Sequence, residues 1–123
     1  MPKLISPSLF IFFGSRNKGN AAEFLDYDIG VVADKPLGLE EKNKMISDFS
    51  KEFSFPEDKI DLVDLNEASP LLQMEVAKSG KLLKGSEEDF LKFRLFAWTR
   101  YQHHMEFRRK AEKLKTLYQK SIS

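Results

Sequence analysis

A Gly14-Ser15 pair followed, after ten residues, by Asp26-Tyr27-Asp28 constrains this chain more than any other feature. Apolar runs stand on either side: Leu9-Phe10-Ile11-Phe12-Phe13 before the glycine, and Ile29-Gly30-Val31-Val32-Ala33 after the second aspartate. Each run reads as a buried strand. Side chains alternate along a strand, so Asp26 and Asp28 share a face, with Cα atoms roughly 6–7 Å apart. Two carboxylates on one face of a half-buried strand are costly unless a cation joins them. A divalent metal is the simplest such cation. The small-residue turn complements it: backbone N–H groups around Gly14–Arg16, at the start of a short helix, would cradle phosphate. Arg16 and Lys18 can add charge-assisted contacts.

The remaining pattern supplies strands and helices around this pair. Met45, Ile46, Phe49 and Phe53 recur at helical spacing over Leu39–Phe53. Pro56 separates that helix from a third strand, Lys59–Leu65, which carries Asp61 and Asp64. These two acids face opposite sides of a sheet, so one of them can join the Asp26/Asp28 site. Ser69-Pro70 opens a helix that Gly80 closes. Lys81–Lys84 is a short fourth strand, and Ser86-Glu87-Glu88-Asp89 caps a last helical region. In that region Phe90, Phe93, Ala97, Tyr101 and Met105 form one stripe. Phe107, Ala111, Leu114 and Tyr118 form another, rotated by roughly a quarter turn. The pattern predicts a break near Gln102–Met105 or a second half packed on a different surface.

At 123 residues the chain makes one domain, 1–123, with a core over about 9–85 and a basic helical region over about 86–120. No apolar run reaches the roughly 20 residues of a membrane span. The first residues lack the long apolar stretch of a secretory signal, and there is no cysteine to form disulfides or thiolate metal sites. A cytoplasmic protein is expected. Residues 1–90 hold 11 Lys/Arg against 17 Asp/Glu, whereas residues 91–123 hold 9 against 2. The basic tail can meet nucleic acid, an acidic partner or the acidic body itself. Adjacent His103-His104 are a poor ligand pair on a helix and suit a partly exposed interface. Trp98 and the phenylalanine stripe suit a core or a partner interface. Gly80–Ser86 lacks the lysine of a P-loop.

The segment LFIFFGSRNKGNAAEFLDYDIGVV resembles the Gly-Ser-x10-Asp-x-Asp signature of the polymerase-β-like nucleotidyltransferases. With KIDLVDLNEASPLLQMEVAKSGKLL downstream, the chain is similar to the minimal nucleotidyltransferase (MNT) group, the antitoxin half of HEPN/MNT pairs. The resemblance covers about residues 9–85. It implies an α+β fold: a small mixed sheet flanked by helices, with a C-terminal helical region. It assigns Asp26 and Asp28 to two Mg²⁺ ions and Asp61, rather than Asp64, to the catalytic one. Gly14, Ser15 and Arg16 would grip the triphosphate of ATP. Gly30 stands where the family usually has an aliphatic residue.

The activity implied is AMP transfer from ATP to a tyrosine of a HEPN-domain toxin. The partner would be that toxin, in a homodimer or a larger hetero-oligomer, without membrane attachment. Direct nucleic-acid binding is disfavoured. No arginine has a histidine five positions later, the spacing of HEPN ribonucleases, so the chain looks like the antitoxin half. Two alternatives differ in kind. One is an antitoxin acting by complex formation alone; the other is a nucleotidyltransferase of small molecules or RNA.

Overall fold

The structure, a computed structural model, describes residues 9–14 and 27–122. Four strands form one sheet: β1 (Leu9–Phe13), β2 (Tyr27–Val32), β3 (Ile60–Asp64) and β4 (Lys81–Lys84), in the order β3-β2-β1-β4. β1 runs antiparallel to both β2 and β4, whereas β2 and β3 are parallel. Helix α1 (Leu39–Phe53) lies on one face; α2 (Pro70–Ser79) and α3 (Glu87–Ile122) lie on the other.

Both apolar runs pack against helices on either face, which is why they show no polar alternation. Leu9, Ile11, Phe13 and Val32 meet Val76 and Ala77 of α2 and Phe90, Phe93 and Ala97 of α3. Phe10, Ile29 and Val31, with Ile60 and Leu62 of β3, meet Met45, Ile46, Phe49 and Phe53 of α1. The Phe10 and Phe49 rings meet edge to face, 4.6 Å between centroids, a favoured aromatic geometry.

Local signals act where expected. The Ser69 hydroxyl accepts a hydrogen bond from the Leu72 N–H at 3.2 Å, and Pro70 fills the first helical position, needing no N–H partner. The Ser86 hydroxyl likewise accepts from the Asp89 N–H at 3.0 Å. Gly80 ends α2 for a reason other than the usual left-handed turn. Its backbone is extended, φ −73°, but an added Cβ would lie 2.5 Å from both Ile11 Cγ2 and the Val76 carbonyl oxygen. Close packing of helix end on strand excludes a side chain there.

The last helix departs from expectation. α3 runs unbroken through Gln102–Met105, and among the described residues its second half packs into neither core: from Glu106 to Ile122 every residue is exposed. Trp98 is not core either; it is half-exposed, as are Leu91 and Leu95. His103 is exposed, while His104 and Tyr101 are half-buried. Among the described residues no helix is long and apolar enough to cross a membrane.

Candidate active site

β1 ends where β2 and β3 begin, because β1 is antiparallel to β2 and β2 is parallel to β3. One corner of the sheet therefore gathers the exit of β1 and the first residues of two other strands. Phe13 pairs with Asp28, and Asp28 pairs with Asp61. The alternation that carries Phe13, Val32 and Val63 into the α2/α3 core puts Asp28 and Asp61 on that same face. Adjacent strands lie about 4.8 Å apart, so the two carboxylates stand side by side. Asp28 is half-buried and Asp61 exposed.

Gly14 closes this corner. Its φ of +89° suits glycine, and a Cβ built on it would collide with Asp28 Oδ2 and lie 3.0 Å from Asp28 Cγ. The turn backbone thus presses on the Asp28 carboxylate, an approach that only a residue without a side chain permits. Like charges directly across neighbouring strands destabilise a sheet. A cation between Asp28 and Asp61 reverses that cost. Hard carboxylate oxygens, one open to water, fit an ion such as Mg²⁺, which retains waters and phosphate oxygens as ligands. Among the described residues these two acids do not join a third His, Cys, Asp or Glu in a metal-binding cluster. Ser15, Arg16, Lys18 and Asp26 lie outside the described residues.

Asp64 is on the other face and has a different task. Its Oδ2 accepts from the Leu37 N–H and its Oδ1 from the Asn66 N–H, each at 3.1 Å. Asn66 Nδ2 in turn donates to the Ala33 carbonyl. The carboxylate ties the loop after β2 to the turn after β3 and plays no part in the corner. Gly30, the departure from the family pattern, also has a packing cause. An added Cβ there would lie 2.6 Å from Leu65 Cδ1, so the fully buried Leu65 occupies the space an aliphatic residue would fill.

Two supports act through contacts between separate elements of the fold. Tyr27 reads as a spacer between acids, yet its ring stacks on Phe55, 4.0 Å between centroids, on the face opposite Asp28. It anchors the start of β2 from behind. Gln73, fully buried in α2, donates through Nε2 to the Leu65 carbonyl at 2.6 Å and accepts from Arg100 Nη1 at 3.0 Å. A lone Gln on the apolar face of a helix was the available clue to this second hub.

A mixed sheet whose corner joins a glycine turn to facing carboxylates is the layout of a nucleotidyltransferase. The chain belongs to the polymerase β nucleotidyltransferase family, whose model matches residues 3–89. It is 33% identical over 107 residues to the protein adenylyltransferase MntA of Shewanella oneidensis, covering 84% of this chain and 70% of that protein. It is 34% identical over 82 residues to MntA of Aphanizomenon flos-aquae, covering 61% of this chain and 55% of that protein. Among solved structures, a toxin–antitoxin with AMP-PNP superposes with a TM-score of 0.69 at 28% identity, covering 92% of this chain and 89% of that one. The tri-AMPylated Shewanella oneidensis HEPN toxin in complex with its MNT antitoxin gives a TM-score of 0.62 at 27% identity, covering 93% and 87%.

Proposed function

We propose that this chain is the antitoxin of a HEPN/MNT pair and transfers AMP from ATP to a tyrosine of its toxin. The observation that carries the reading is the in-register Asp28–Asp61 pair pressed by the Gly14 turn. The relatives support it: they are adenylyltransferases by name, and one similar complex holds an AMPylated HEPN toxin.

In this reading Asp26, Asp28 and Asp61 hold two Mg²⁺ ions, and Gly14, Ser15 and Arg16 bind the triphosphate. The ions, when bound, neutralise charge on the phosphates and on the leaving pyrophosphate. Asp61, as the exposed carboxylate, takes the phenol proton. The phenol oxygen bonds to the α-phosphorus as the bond to the bridging oxygen of the β-phosphate breaks, and pyrophosphate leaves. Asp28, braced by the turn, keeps its orientation throughout. Such positioning supplies most of the catalysis in phosphoryl transfer. A rival reading, neutralisation by complex formation alone, draws on the exposed distal half of α3.

The test is incubation of the chain with α-labelled ATP, Mg²⁺ and a cognate HEPN-domain toxin. Label should pass to a toxin tyrosine. Asp28→Asn and Asp61→Asn should each lower transfer by about 10²-fold or more, the scale for losing an electrostatic catalytic group, with toxin binding kept. Unlabelled toxin in a stable complex with wild type would favour the rival.

A further inference from the structure

α3 carries one seam along its whole length. Phe90, Phe93 and Ala97 face the body, and Arg100 follows in the same row with its bond to Gln73 of α2. The alternation of three and four continues through half-buried His104 to Phe107, Ala111, Leu114 and Tyr118. A strict heptad drifts by only about 20° per repeat on a straight helix. Over the repeats that separate Phe90 from Tyr118 this adds up to roughly a quarter turn, so the distal apolar row continues the same stripe past the end of the body, swung round the helix from the buried row. α2 fills the seam at one end. At the other end Phe107, Leu114 and Tyr118 are 71, 66 and 64% exposed.

The charged residues flanking the open seam carry one sign, while Leu117, in the same row as His103 and Lys110, is apolar. Arg108, Lys110 and Lys115 border it, together with His103, while both acids of the distal half, Glu106 and Glu112, lie off it. Lys110 also forms a 3.7 Å pair with Glu106, exposed and therefore weak. These flanks discriminate between occupants. A second copy would set basic flank against basic flank in either orientation, since e faces g in a parallel pair and like meets like in an antiparallel one. Nucleic acid would use the cations but has no need of a phenylalanine–leucine–tyrosine row.

We infer that the distal half of α3 is a docking face for an amphipathic helix of another protein, one whose apolar seam is bordered by carboxylates. That helix lies along Phe107–Tyr118, and its acids pair with Arg108, Lys110 and Lys115. In the antitoxin reading above the helix belongs to the toxin. The protein's identity rests on that reading; the chemistry of the helix does not.

The experiment measures fluorescence anisotropy of two labelled three-heptad peptides with the full chain. Both carry leucine in the seam; one has Glu and the other Lys on its flanks. The Glu peptide should bind about tenfold or more tighter, an advantage that shrinks with salt. Arg108→Glu/Lys110→Glu/Lys115→Glu should invert the preference, and Leu114→Ser should weaken the Glu peptide without changing circular dichroism of the body. Equal binding of the two peptides, or binding of neither, overturns the proposal. So does dimerisation of the chain that Leu114→Ser abolishes, or RNA binding indifferent to Leu114→Ser with no peptide bound. Co-elution with the toxin separates this from the functional reading. Toxin retained equally by wild type and the triple variant overturns the docking face alone. Discrimination between the peptides without toxin co-elution upholds the face and removes the toxin as its occupant.

Discussion

At the scale of single residues the corner depends on one missing side chain. Gly14 combines a left-handed φ of +89° with direct contact on the Asp28 carboxylate, so any side chain both strains the turn and displaces the acid. Gly14→Ala should cost about 1–3 kcal/mol of stability, the range for non-glycine residues held in such conformations. It should cut AMP transfer further than that loss explains, by about 10²-fold, because a displacement near 1 Å at a reacting centre has that effect. Urea unfolding beside the labelled-ATP assay separates the two; unchanged transfer would mean that Asp28 needs no brace. The spacing of Gly14 and Asp28 was legible in the sequence because a turn and a strand are local. Strand parity removed Asp61 and Asp64 from one face but did not choose between them, and the register with β2 made Asp61 the neighbour of Asp28. Tyr27 was illegible as a support, since its stacking partner Phe55 lies beyond α1 in the chain.

At the scale of elements, strands and capped helices were readable because their causes are written within a few residues. Continuous apolar runs mark strands buried on two faces, and Ser69-Pro70 marks a helix start. The course of α3 was not readable, because the apolar rows before and after Gln102 are joined through Arg100 and His104, polar residues that break the pattern. Arg100 belongs to the row only because buried Gln73 receives it, a contact between elements. Gly80 ends α2 as its position predicts, but through close packing rather than a left-handed turn. Its neighbour in space is the backbone carbonyl of Val76, which cannot move without unwinding the helix end. Gly30 instead faces side-chain atoms of Leu65, Cδ1, Cγ and Cδ2, rather than backbone. Gly80→Ala should therefore destabilise by about 1–3 kcal/mol, as overpacking does. Gly30→Ala should cost less, and Leu65→Val should recover part of that cost while doing nothing for Gly80→Ala. Chemical unfolding of the four variants checks the contrast.

At the scale of the molecule, the sheet is closed by α1 on one face and by α2 with the first turns of α3 on the other. Those turns are indispensable: Phe93 is almost fully buried and Ala97 completely so. The distal half of α3 adds nothing to either core, so stability and docking are divided along one helix. Ending the chain after Met105 should leave the unfolding free energy within about 0.5 kcal/mol, the range for changes away from packed features. The urea dependence should also stay nearly the same, because it scales with surface exposed on unfolding and the lost segment packs into neither core. Phe93→Ala, by contrast, should cost about 3–5 kcal/mol. Far-UV circular dichroism would lose the helical signal of the removed residues while near-UV bands of the core persist. A fall of several kcal/mol on truncation, with a shallower urea dependence, would show that the distal helix folds back on the acidic body. It would then be a covering layer of this chain, and the open seam would vanish with it.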